Sequence, residues 1–88
     1  MDERERIPVM LKLIKNFNSK SKGYWYIPDN RDPGMIEIDE VSGAVRIVFE
    51  STYNKELSYP YFANKACGFV KQMLDQGKLP DEKFFAWG

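Results

Sequence analysis

The chain has 88 residues, which corresponds to one small domain, so residues 1–88 are treated as a single unit. Thirteen Lys and Arg residues balance thirteen Asp and Glu residues, and the formal net charge is zero. Hydrophobic residues make up 43% of the chain, which excludes intrinsic disorder, while the absence of His and the single Cys argue against a zinc site and exclude an internal disulfide.

The N-terminal sequence has neither the pattern of a secretion signal nor that of a membrane span. Residues 1–6 carry charges of both signs, and the apolar stretch that begins at Ile7 is interrupted by Lys12. Such a stretch is shorter than the apolar region of a signal peptide and far shorter than a bilayer span. A lone cysteine is typical of a reducing compartment, so we expect a soluble cytoplasmic protein that does not associate with membranes.

Residues 7–19 have the spacing of an amphipathic helix. Apolar side chains recur three and four residues apart, at Ile7, Met10, Leu11, Ile14 and Phe17. Pro8 suits the first turn, where its missing amide hydrogen costs no hydrogen bond. The spacing predicts a helix over residues 7–19, preceded by frayed residues 1–6.

The middle of the chain predicts three short strands. An aromatic strand at residues 24–27 is followed by two alternating segments, residues 35–40 and 44–51. The tight turn between the last two strands places Gly43 where a positive φ is required. The alternation predicts a buried face that consists of Val45, Ile47 and Phe49.

A second helix is predicted from Ser58, as N-cap, to about Gln76, with Gly77 as a left-handed C-terminal cap. Its apolar stripe consists of Tyr59, Phe62, Ala63, Ala66, Cys67, Val70, Met73 and Leu74. After it, residues 80–83 predict a short terminal helical turn. The aromatic tail that follows is expected to dock on the domain or on a partner.

These elements predict an α+β domain. The order is α-β-β-β-α with a short C-terminal helical turn, and the economical packing is a three-stranded antiparallel sheet with both main helices on one face.

The sequence gives little support for a metal site or a reactive cysteine. The loop that contains Asp29 and Asp32 has the acidic character of a calcium loop, but Arg31 and Pro33 occupy two of the ligand positions. Cys67 lies on the apolar stripe of the second helix, which is typical of a buried small hydrophobic residue. We therefore expect no catalytic residue, no metal and no cofactor, and a protein that is not an enzyme.

The aromatic residues suggest a function in association. Phe, Tyr and Trp are enriched in the cores of protein interfaces, and several exceed what one thin core needs. The candidate partner-binding residues are Tyr61, Phe69, Phe84, Phe85 and Trp87. They favour a non-catalytic interaction or accessory protein, with a homodimer as one form of it. The alternative for these residues is a well-packed aromatic core.

A second function is compatible with the sequence. Cationic side chains next to aromatic rings bind single-stranded nucleic acid through phosphate contacts and base stacking. The candidate residues for this function are Lys12, Lys15, Lys20, Lys22 and Trp25. The zero net charge disfavours this alternative, and a steep salt dependence of binding would distinguish it.

Overall fold

The computed structural model describes residues 9–55 and 60–87, which form one antiparallel five-stranded sheet with one long helix packed against it. The strand order across the sheet is β4-β3-β2-β1-β5. The first four strands follow one another as hairpins, and the long helix then leads the chain back to the opposite edge. The elements are β1 (Val9–Phe17), β2 (Lys22–Pro28), β3 (Gly34–Ile38), β4 (Val45–Phe49), the single helical turn α1 (Thr52–Lys55), α2 (Tyr61–Gln76) and β5 (Glu82–Trp87).

The predicted helix over residues 7–19 is wrong, because its described part is strand β1. This strand pairs with β2 on one side and with β5 on the other. Leu11 and Leu13 are fully buried beneath α2, whereas Ile14 lies on the opposite side of the sheet. A central strand with apolar residues on both faces also satisfies helical spacing, so the periodicity alone did not distinguish the two structures.

The predicted helical turn at the C-terminus is also wrong, because residues 82–87 form strand β5. This strand lies antiparallel to β1, with Phe85 opposite Leu11 and Phe84 opposite Lys12. Residues 9–55 and 60–87 therefore contain five strands and one long helix, not three strands and two main helices in the order α-β-β-β-α. The tail is a strand because β1 offers it an edge of unpaired backbone groups, a contact that no local pattern shows.

The middle strands, their turn and the long helix lie where the sequence predicts them. Gly43 has a φ of 76° in the β3–β4 turn. Gly77 has a φ of 71°, and the backbone amides of Gly77 and Lys78 donate to carbonyls in the last turn of α2. The predicted start of the helix is wrong, because α2 begins at Tyr61 with Pro60 as its N-cap. The predicted N-cap Ser58 lies outside the described residues.

A β-bulge changes the predicted orientation of Phe49. Ile36 pairs with Ile47, but its neighbour Met35 pairs with Phe49, so Val48 is an additional residue in β4. Alternation without the bulge would place Phe49 on the same face as Ile47. With the bulge, Phe49 lies on the other face, where its ring contacts Trp25 at a centroid distance of 5.9 Å.

The core lies between α2 and one face of the sheet. From the sheet it contains the fully buried side chains Leu11, Leu13, Tyr24, Tyr26 and Ile36, and from α2 it contains Phe62, Ala63, Ala66, Val70 and Met73. The helical residues recur three or four positions apart, so they form one stripe. The two buried tyrosine hydroxyls have partners: Tyr24 donates to the Pro80 carbonyl (2.6 Å), and Tyr26 accepts from the Ser51 amide (2.9 Å).

Candidate interaction surface

The sheet has one face covered by helices and one that they leave uncovered. Besides α2, the short turn α1 also lies on the covered side, where Tyr53 stacks on Phe62 at 5.1 Å. We call the other side the open face. Its apolar side chains, assigned from strand register and alternation, are Met10, Ile14, Trp25, Ile27, Met35, Phe49, Phe84 and Ala86. Its charged side chains are Lys12, Glu37, Arg46 and Glu82.

An apolar row crosses the open face. Four side chains lie next to one another on adjacent strands, in the order Ile14, Trp25, Met35 and Phe49. With strands about 4.8 Å apart, the row extends about 14 Å across the sheet. Trp25 occupies the middle strand, β2, and its ring meets that of Phe49 edge-on.

The two edges of the open face each present an exposed phenylalanine. Phe49 on β4 is 47% exposed, and Phe84 on β5 is 54% exposed. Both positions depend on tertiary structure, because the bulge turns Phe49 to this side and pairing with β1 sets the orientation of Phe84. The apolar row therefore ends at Phe49 on one edge. At the other edge, Glu82 lies opposite Ile14, and Phe84 lies opposite Lys12.

The charges of the open face form opposite pairs. Lys12 pairs with Glu82 across β1 and β5 at 3.1 Å, and Arg46 pairs with Glu37 across β3 and β4 at 2.6 Å. The Glu37 carboxylate also raises the pKa of the Arg46 guanidinium. Each side of the face therefore carries one cation and one anion, and the face has no net charge.

The predicted partner-binding residues are divided between the two faces. Phe85 stacks on Phe69 of α2 with a centroid distance of 3.8 Å, and the Trp87 indole donates to the Tyr61 hydroxyl at 3.0 Å. These four side chains pack β5 against α2 on the covered face. Only Phe84 of the predicted set lies on the open face.

The predicted nucleic-acid-binding residues are also divided. Lys12 shares the open face with Trp25, but Lys15 and Lys22 lie on the covered side, next to the ring of Phe17. Lys15 pairs with Asp81 and Lys22 with Glu40, while Lys20 lies in the exposed β1–β2 turn. The structure therefore does not bring these lysines together with Trp25 on one surface.

The remaining candidates are a metal site, a groove and the single cysteine. Within residues 9–55 and 60–87, no group of three acidic or cysteine side chains is placed to hold a metal ion. A shallow groove of about 460 Å³ lies at the end of α2, between Met73, Leu79, Pro80 and Lys83. Cys67 is half-buried, and burial raises the pKa of its thiol despite the nearby Lys71.

Comparison with known proteins identifies no relative. No protein-family model matches the chain, and searches of curated proteins and of solved structures find no similar protein. No helix in the described part of the chain is long and apolar enough to span a membrane.

Trp25 belongs to the predicted nucleic-acid-binding set and Phe84 to the predicted partner-binding set, whereas Ile14, Met35 and Phe49 of the open face belong to neither. One signal was present: β1, β2 and β3 carry apolar residues at both odd and even positions. In a domain with one sheet and one helical layer, the helices cover only one face of the sheet. When the strands carry apolar residues at both odd and even positions, one of these two groups therefore lies on the uncovered face.

Proposed function

We propose that this protein is a non-catalytic interaction module that binds a protein partner through the open face. The observation that carries the proposal is the apolar row from Ile14 to Phe49, on a sheet face that no helix within residues 9–55 and 60–87 covers. Phe84 lies beside this row, opposite Lys12. Folded monomers rarely expose contiguous apolar surface of several hundred Å², and larger exposed patches mark association sites.

The exposed rings supply the expected driving force. Complete burial of a Phe side chain contributes about 1.5–3 kcal/mol. Because Phe49 and Phe84 remain about half exposed, their burial by a partner would contribute about 1 kcal/mol each. Trp25 lies between them, and Trp is among the residues that most often dominate binding energy in interfaces.

The charge distribution favours a protein partner over nucleic acid. Phosphate binding needs unpaired cations along the path of the strand. On the open face, Lys12 is held by Glu82 and Arg46 by Glu37. A protein surface with an apolar centre and a mixed polar rim matches this arrangement better, because paired charges at a rim tolerate contact with either sign.

The test compares capture by the wild-type chain with capture by two matched variants. Phe49→Lys/Phe84→Lys places two charges on the open face, and Val41→Lys/Ala44→Lys places the same two charges in the exposed β3–β4 turn. Each tagged chain is incubated with lysate of the native host, with and without nuclease. In a separate sample, it is incubated with an untagged copy of the same chain. Bound proteins are identified by mass spectrometry.

We expect a specific set of bound proteins with the wild type and the turn variant, and its loss with the open-face variant. The set should survive nuclease and change little with salt. Capture that disappears with nuclease would instead support the nucleic-acid alternative. Capture that is equal in both variants would show that the open face is not the binding surface.

A further inference from the structure

The open face has properties that specify its partner. It is apolar along its centre and net neutral, with one cation and one anion on each side of the middle strand. A strongly acidic or basic partner would gain no long-range attraction from such a surface. The surface that repeats the same apolar centre and the same balanced charges is the open face itself.

The position of Trp25 suits a symmetric contact. Trp25 lies on β2, which is the third of five strands, with Ile14 on one side and Met35 on the other. In a two-fold symmetric interface the same patch is used by both copies. A two-fold axis that overlays two open faces fully must pass near β2, and it places Trp25 next to Trp25 of the second copy.

We infer that the occupant of the open face is a second copy of this chain, stacked sheet to sheet about a two-fold axis near Trp25. This inference rests on the proposed function and names its partner. Two sheets stacked in this way lie about 10 Å apart, with the side chains of their inner faces interdigitated. The assembly has four layers, with an α2 helix on each outer side.

The size of the face sets the expected strength. Five strands about 4.8 Å apart and about five residues long span roughly 24 by 17 Å, or about 400 Å² in projection. Stable interfaces bury about 800 Å² of accessible surface on each partner. The face is therefore small for a permanent dimer, and we expect a dissociation constant in the micromolar range or weaker.

The test measures molecular mass by sedimentation over about three orders of magnitude of protein concentration. For the wild type, we expect the mass to rise from 10.3 kDa towards twice that value. Phe49→Lys/Phe84→Lys should remain monomeric at all concentrations, and Val41→Lys/Ala44→Lys should dimerise as the wild type does. Circular dichroism and a thermal melt show that each variant is folded.

A second measurement uses the unaltered chain. In a mixture of isotope-labelled and unlabelled wild-type protein, intermolecular nuclear Overhauser effects are expected at the Trp25 indole and at Ile14. Their absence from a sample that sedimentation shows to be dimeric would overturn the stacked arrangement. A dimer that persists in Phe49→Lys/Phe84→Lys would overturn it as well.

Failure of this inference is distinguishable from failure of the proposed function. A wild type that stays monomeric throughout, yet captures a different protein in a manner that depends on Phe49 and Phe84, overturns the second-copy inference and leaves the proposed function intact. A monomeric wild type whose captures are unaffected by these residues overturns both.

Discussion

Substitution of Gly34 by alanine is expected to destabilise the fold through one buried ring. Gly34 is opposite Tyr26 in the β2–β3 pair, and the ring lies over it. A Cβ atom at position 34 would lie 2.2 Å from Cε1 and Cζ of Tyr26 and 2.5 Å from its hydroxyl oxygen. Because Tyr26 is fully buried, its ring can make space for the Cβ atom only by displacing other atoms of the core.

The expected cost has two parts. Forcing an additional methyl group into a packed core costs about 1–3 kcal/mol. Displacement of the ring also removes the 2.9 Å hydrogen bond from the Ser51 amide to the Tyr26 hydroxyl, and a buried amide without a partner costs about 1–3 kcal/mol. Partial adjustment of the ring reduces both, so we expect a total loss of about 2–4 kcal/mol. For a domain of this size, such a loss lowers the Tm by at least about 8 °C.

Thermal and urea unfolding followed by circular dichroism measure this loss. The matched control is Gly68→Ala, because a Cβ atom at Gly68 has open space and alanine favours the helix; we expect it to stabilise α2 by about 0.5–1 kcal/mol. In a Tyr26→Leu background, the cost of Gly34→Ala should fall by more than half. A Gly34→Ala protein within about 0.5 kcal/mol of the wild type would refute the close packing of Tyr26 on β3.

Three further predictions address single side chains. Burial raises the pKa of Tyr26 from 10.0 to about 12. The stabilisation that comes from keeping this hydroxyl protonated is therefore fully present below pH 10 and is lost as the pH rises towards 12. Over this pH range, the free energy of unfolding in urea should depend less on pH in Tyr26→Phe than in the wild type. Trp87→Ala removes the contact with α2 and should cost about 2–3 kcal/mol in the free energy of unfolding, whereas Phe84→Ala should change it by less than about 0.5 kcal/mol in a dilute monomer. Equal effects in these two variants would contradict the alternation of β5. Because burial raises the pKa of the Cys67 thiol, alkylation at neutral pH should be slower in the folded protein than in urea, and equal rates would contradict its placement.

The candidate surface was only partly predictable from the sequence. Phe84 belongs to the predicted partner-binding set because aromatic side chains are enriched in interfaces. Trp25 belongs to the predicted nucleic-acid-binding set because rings next to lysines can stack on bases. Phe49 was assigned to the buried face, since strict alternation with Ile47 requires it. The bulge at Val48 reverses that assignment, and it arises from the pairing of β4 with β3 rather than from a turn residue in β4 itself.

The sequence by itself determined the β3–β4 hairpin and the long helix with its cap. Gly43 and Gly77 specify their backbone conformations locally. The apolar residues from Phe62 to Met73 recur at helical spacing, which does not fit the alternation of a strand. The tertiary structure alone decided that β1 is a strand and that the tail extends the sheet. The apolar residues of β1 fit either periodicity, and β5 gains its hydrogen bonds only from a strand some 70 residues earlier in the chain. Contacts between segments this distant leave no local pattern, and they also decided which face of the sheet remained open.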